Sequence, residues 1–360
     1  MRRLSQLSIV LMLLPLHALC AQNSPIPKVE SQPASQSLPP GGTDRLITID
    51  VQVTDQSGAA VRGLQKEDFT LFDDNQPKNI AAFHAVDPPT DPPIELVLVV
   101  DEVNVSYQTS AYERSQLKKF LSQNGGKLAL PTSLVICTET GTQMQSGVSR
   151  DGNAVAALYD KYTTGLRSSN VTSVATYGSL QRLYKSINTL TSLIAYEGTR
   201  PGRKLMIWLS PGWPIISTEN LGAYRKDEQN IFGLIVAATN GLRKARVTLY
   251  SIDPFGAVSS AGYRISDYKG FLKAVRSSSQ AVLGNLALEV LAVHSGGRVL
   301  SSTNDLVTAI QECATDAHTF YVLLFEGAQA GGANEYHDLS VTVDKPKVTA
   351  RTRTGYYAQP

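Results

Sequence analysis

Asp101 and Asp253 each close a run of apolar residues, Ile94 to Val100 and Val247 to Ile252. A carboxylate at the end of a buried strand is a natural seat for oxygen-based chemistry, because ligands of open α/β sheets bind beyond the carboxyl ends of the strands. Glu102 and Asn104 stand beside the first aspartate, and an oxygen-rich loop of this kind suits a hard cation such as Mg²⁺. The competing explanation is local, since aspartate often caps the turn that follows it. Motifs for other chemistry are missing: the chain has no GxSxG elbow, HExxH, GxxxxGK[ST] or strand-associated GxGxxG. The segment Gly198-Thr199-Arg200-Pro201-Gly202-Arg203-Lys204 has the composition of a phosphate loop but precedes a strand, so it reads as a solvated basic turn. His84, His294, His318 and His337 are scattered and read as surface or strand-edge residues. Arg243-Lys244-Ala245-Arg246 and the later Lys345, Lys347, Arg351 and Arg353 read as solvated basic faces.

The elements that must position these residues belong to a chain of 360 residues with 33 basic and 31 acidic side chains, a net charge of +2. That length suggests about two domains, and a core large enough to fold without disulfides or metal. The near-neutral balance argues against a nucleic-acid binder. Nothing in the motifs calls for a cofactor. Arg2 and Arg3 precede the apolar run Leu7 to Leu16, and Ala18-Leu19-Cys20-Ala21 follows. This is the pattern of a secretory signal peptide over residues 1–21, cleaved near Cys20 or Ala21. The run is too short for a stable membrane span, which needs roughly 20 apolar residues, so the expected location is secreted or periplasmic. Cys137 and Cys313 then remain, free or bridged, with no spacing that suggests zinc.

Residues 22–43 are rich in Pro, Ser, Gln and Gly and read as a flexible leader. Short alternating strands follow within a β segment, 44–90, around Leu46–Thr54, Phe69–Phe72 and Ile80–Val86. Pro88, Pro89, Pro92 and Pro93 make a stiff connector. From 94 to 316 apolar strands alternate with helical patterns: helices are expected around 117–121, over 173–197, 220–243, 266–275 and 279–293, and about 304–316. The expectation is a Rossmann-like open sheet flanked by helices. Residues 318–358 return to alternating strands and should complete the amino-terminal sheet, giving a small antiparallel β domain built from both ends of the chain.

A family resemblance rests on several short pieces in a fixed order. They include Val51-Gln52-Val53-Thr54-Asp55-Gln56-Ser57-Gly58, Glu67-Asp68-Phe69, Phe72-Asp73-Asp74-Asn75, Ile252-Asp253-Pro254, Ser295-Gly296-Gly297-Arg298 and the closing Arg353-Thr354-Gly355-Tyr356-Tyr357. From about residue 45 to its end the chain resembles the VWFA-related proteins of acidobacterial type, which carry a von Willebrand factor type A domain. The resemblance implies a fold used mainly for protein binding. Metal-binding members carry Asp-x-Ser-x-Ser after the first strand, whereas here the stretch is Asp101-Glu102-Val103-Asn104-Val105. The threonine expected at the long middle helix falls near Val174, with Thr172 and Thr176 close enough to leave its register open, and the aspartate after the fourth strand falls at Pro211. Valine and proline offer no side-chain oxygen, so the adhesion site is expected to be degenerate and metal-free, with Asp101 and Asn104 the donors left to rebuild one.

The leading functional expectation is a secreted, non-enzymatic, adhesion-like module for an unidentified extracytoplasmic protein. Its candidate contact residues are Asp101, Glu102, Asn104, Thr172, Pro211, Trp213 and Pro214, with Trp213 either an exposed anchor or a ring folded onto the domain's own helices. Cation-dependent adhesion through a rebuilt Mg²⁺ site is the alternative. An extracytoplasmic hydrolase would need a convergent pair such as His294 with Asp253.

Overall fold

Alternating β-branched residues make strand β1 (Leu46–Asp55), which buries Ile47, Ile49, Val51 and Val53. β2 (Phe69–Asp73) and β3 (Gln76–Lys78) form a hairpin, with Asp74 and Asn75 at φ 48° and 62° in its turn. Left-handed turn residues of this kind match the twist of the flanking strands. β4 (Ile80–Val86) follows. The computed structural model describes residues 45–87, 94–163, 176–214, 225–254, 268–301 and 304–359. The signal segment, the leader, the proline connector, Thr172 and Val174 lie outside the described residues.

The central part runs β5 (Glu95–Asp101), α1 (Tyr107–Leu121), β6 (Lys127–Thr138), β7 (Gly141–Met144), β8 (Ser149–Asp151), α2 (Gly152–Thr163) and α3 (Thr176–Gly198). It continues with β9 (Lys204–Leu209), α4 (Arg225–Lys244), β10 (Val247–Ile252), α5 (Leu288–His294), β11 (Val299–Leu300) and α6 (Leu306–Ala314). The strands form one sheet in the order β11-β10-β9-β5-β6-β7, parallel from β11 to β6, with β7 and β8 antiparallel to β6. Near-continuous apolar strands follow from this burial on both faces. Leu96, Leu98 and Val100 pack with α1, α2 and α6, while Val97 and Val99 pack with α3, α4 and α5. The fold is therefore mixed α/β, a mostly parallel sheet covered by helices, with antiparallel sheets beside it.

The remaining strands are β12 (Phe320–Glu326), β13 (Glu335–Val343), β14 (Val348–Arg351) and β15 (Gly355–Ala358). Strands from the two ends of the chain do pair, but into two sheets rather than one. One has the order β14-β1-β12-β4 and the other β15-β13-β2-β3. Ile49, Val51, Leu323 and Phe325 of the first share a core with Leu71, Leu339 and Tyr356 of the second. β1 and β2 bury mainly one face, so a second sheet is the surface they need, whereas β15 is buried on both, with Tyr356 in this core and Tyr357 in the core that holds α4.

Two expectations are corrected here. Residues 279–293 are not one helix but 3₁₀ turns at Ser278–Gln280 and Leu283–Leu286 ahead of α5. The Asn285 side chain accepts from the Val282 amide at 2.9 Å and donates to the Phe271 carbonyl at 3.1 Å. Such local bonds compete with helical ones. The 266–275 stretch holds a single 3₁₀ turn, Tyr268–Phe271, within its described part. Among the described helices none is long and apolar enough to cross a membrane.

Candidate functional site

In the parallel sheet, chain order reverses between β5 and β9: β6 lies on one side of β5, and β9 on the other. Crevices open at such a switch point, at the carboxyl ends of the strands. Asp101 ends β5 there, and Ser210 follows β9. The Asp101 carboxylate is fully buried and receives five protein donors. Its Oδ1 accepts the amides of Val103 and Asn104, both at 3.0 Å. Its Oδ2 accepts Asn104 Nδ2 at 2.8 Å, Ser210 Oγ at 2.9 Å and Trp208 Nε1 at 3.1 Å. A carboxylate offers about four lone-pair positions, so these donors occupy what a cation would use.

The loop then enters α1, whose N-cap Ser106 accepts the Thr109 amide at 3.2 Å. α1 carries a residue that the sequence reading passed over. Glu113 is 1% exposed, and neither carboxylate oxygen has a hydrogen bond among the described residues. Burial pushes its pKa well above the usual carboxylate range, and the charges of Glu102, Asp101 and Asp253 add to that push. Glu102, which accepts Ser110 Oγ at 2.9 Å, is also raised by burial. Glu113 precedes the buried Leu117 by four residues, the spacing of one helix face, and that was the available signal.

The raised pKa has a defined sign. Below the usual carboxylate range the folded and unfolded chains are both protonated, and the full stability is present. As pH rises, the unfolded chain releases its proton first, and stability falls until Glu113 ionises in the folded state. Glu113→Gln is expected to flatten this slope. Its thermal midpoint should match that of the parent near pH 4 and exceed it increasingly toward about pH 8; parallel profiles would show that Glu113 ionises normally.

Of the candidate contact residues, Glu102 and Pro211 are half-buried, whereas Asp101, Asn104, Trp213 and Pro214 are buried. Of the two readings of Trp213, the structure has the folded-in ring and not the exposed anchor: the side chain is 0% exposed and meets Trp208 edge-on, centroids 5.0 Å apart at 77°. Gly212 explains the inward turn. It sits at φ 99°, and a Cβ there would stand 2.2 Å from Glu289 Oε1. Only glycine takes that conformation and that approach without strain.

The histidines divide. His84 and His318 are exposed, as expected, but His337 is buried at 7% exposure. Its Nδ1 lies 3.0 Å from Asp73 Oδ1 and 3.1 Å from Asp74 Oδ2, and these atoms form a group compatible with a metal ion. Other cations already face both carboxylates: Lys78 Nζ is 3.8 Å from Asp73 Oδ2, and Arg276 Nη2 is 3.6 Å from Asp74 Oδ1. Tyr356 donates its hydroxyl to Asp73 Oδ2 at 3.0 Å and stacks on the His337 ring. Together these contacts staple β13 and β15 to the β2–β3 hairpin. His294 Nδ1 contacts Thr354 Oγ1 at 2.5 Å, and burial lowers its pKa. Cys137 and Cys313 are free and buried, with burial pushing both thiols up to about 12.

The basic turn is corrected as well: Arg203 and Lys204 are 3% and 1% exposed, and Arg353 of the carboxyl-terminal basic set is 6% exposed.

No family model and no curated protein matches the chain. Solved structures similar to it include the following two. The VWA domain of SpRpn10 matches at 13% identity over 47% of this chain and 78% of that one, with a TM-score of 0.27. The N-terminal domain of TFIIH p34 matches at 9% identity over 61% and 96%, also with a TM-score of 0.27. Likenesses this distant carry no argument, and the fold rests on the chain's own sheet order and burial.

Proposed function

We infer that the chain is an extracytoplasmic, non-enzymatic protein-interaction module of the VWFA-related type that engages its partner without a divalent cation. The observation that carries this reading is the set of five donors on Asp101 at the switch point. The residue best placed to hold a cation spends its oxygens on holding the loop. Contact would then come from the loops at the carboxyl edge of the sheet, with Glu102 and Pro211 the half-buried side chains there. The hydrolase alternative draws no support from His294, whose Nδ1 contacts Thr354 Oγ1. The signal-like amino terminus supports a secreted or periplasmic location and a protein partner in that compartment.

Cation-dependent adhesion is supported by one observation. Asn104 Oδ1 and both Glu113 oxygens are buried without donors, with Glu102 near Glu113. Calorimetric titration of Mg²⁺, Mn²⁺ and Ca²⁺ into the signal-cleaved chain separates the readings. The expected result is no binding at micromolar level, with partner capture from extracytoplasmic extract persisting in chelator and weakened by Glu102→Arg. Micromolar binding, together with capture lost in chelator, would replace the metal-independent reading with the cation-dependent one.

A further inference from the structure

At the opposite end of the parallel sheet, Arg203 and Arg246 immediately precede β9 and β10. The Lys204 amide donates to the Arg246 carbonyl at 2.9 Å, which sets the two arginines side by side. β1 crosses this edge with Asp50, and Thr352 Oγ1 donates to the Asp50 carbonyl at 2.8 Å, bringing in Arg353. Arg246 Nη2 lies 2.6 Å from Asp50 Oδ1, and Arg203 Nε lies 3.5 Å from Asp50 Oδ2. One aspartate therefore serves several guanidinium groups.

Arg353 is left over. It is 6% exposed, and its Nη1 is buried without an acceptor among the described residues. The Nε of Arg246 also lacks a hydrogen-bond acceptor, whereas Arg203 is partly engaged, with Nε facing Asp50, Nη1 donating to the Asp316 carbonyl at 2.9 Å and its guanidinium 4.3 Å from the Phe320 ring centroid. Burial lowers the Arg353 pKa to about 10; Asp50 opposes that, while Arg243, Arg203 and Arg246 reinforce it. The group stays charged at neutral pH even so. Another buried carboxylate, Asp316, is committed to Arg351 and to the Tyr250 hydroxyl, the latter at 2.6 Å. A buried charge whose one carboxylate, Asp50, is shared with Arg203 and Arg246 is under-compensated and therefore unfavourable, and guanidinium forks match the spacing of oxyanion oxygens.

Backbone geometry at Arg246 points the same way. This residue follows α4 with φ 53°, a left-handed position that glycine fills most readily. An arginine there is strained, and the strain is explained if its side chain is needed.

We propose that Arg353, Arg246 and Arg203 close around a small oxyanion of the phosphate or sulfate class, at the seam between β1 and the amino ends of β9 and β10. The depth of burial suits a free ion or a compact monoester rather than a macromolecule.

The test is thermal unfolding of the full chain in inorganic phosphate, sulfate or chloride at matched ionic strength. Phosphate or sulfate is expected to raise the midpoint over chloride by at least about 2 °C, with saturation and one site by calorimetry. Arg353→Met should abolish that difference. Arg246→Gly, which relieves the backbone strain, should weaken it at least tenfold in phosphate concentration. Comparing inorganic phosphate with glycerol phosphate identifies the source: tighter binding of the ester assigns the site to monoesters, and tighter binding of the ion assigns it to free phosphate. Equal midpoints in all three salts would overturn the proposal. So would a phosphate effect that survives in both variants, or an Arg353→Met chain that is simply more stable in every salt, because a vacant cluster gains by losing an under-compensated charge.

Discussion

Asp101→Ala is expected to destabilise the chain by about 3–5 kcal/mol, the scale of breaking a buried, hydrogen-bonded charge, and by the same amount with or without Mg²⁺. The substitution leaves five donors without their acceptor: two loop amides, Asn104 Nδ2, Ser210 Oγ and Trp208 Nε1. Asn104 Nδ2 retains Ser186 Oγ at 2.9 Å, but the other four would need new acceptors in a region closed to water. Denaturant unfolding in chelator and in millimolar Mg²⁺ measures the effect. A loss below about 1 kcal/mol would mean that the carboxylate does not organise the loop. A loss that appears only in Mg²⁺ would mean that it holds a cation after all.

Lys204→Met is expected to cost about 3 kcal/mol or more, since each buried acceptor left without a donor costs about 1–3 kcal/mol. Lys204 lies at the start of β9 and is 1% exposed. Its Nζ donates to the carbonyls of Glu197 at 2.8 Å, Arg200 at 2.5 Å and Ala245 at 3.3 Å. These carbonyls lie at or just beyond the ends of α3 and α4, where backbone acceptors have no partner within the helix and the dipole favours a cation. One ammonium thus ties two helix ends to the amino edge of the sheet. Methionine nearly matches the volume and supplies no donor. Urea unfolding should show a lower midpoint at an unchanged slope; a cost under about 1 kcal/mol would mean that water reaches those carbonyls.

Much of the architecture was legible in local pattern. The strands Lys204–Leu209 and Val247–Ile252 match their apolar runs residue for residue, and the long helix lies at Thr176–Gly198 where spacings of three and four placed it. The region 141–163 was not read: β7 is polar and half-exposed, so it carries little hydrophobic period. α2 did have a legible start, because Asp151 Oδ1 accepts the amides of Asn153 at 2.9 Å and Ala154 at 3.1 Å. At the candidate site, Asp101 was found from its position at the end of a strand. Glu113 was missed because a carboxylate within an apolar face reads as an interruption of the pattern.

Periodicity is a property of neighbours along the chain, and with a strand's apolar run it is enough to specify which segments alternate, which are covered on both faces, and where the sheet's carboxyl edge must lie. The environment of a polar side chain is a property of segments distant in sequence. Arg353 and Lys204 read as solvated charges, and Trp213 as either an exposed anchor or a folded-in ring, until Asp50, the ends of α3 and α4, and Trp208 were brought against them. Burial, and with it the partner or the missing partner of each charge, is settled only when the packed chain excludes water from those groups.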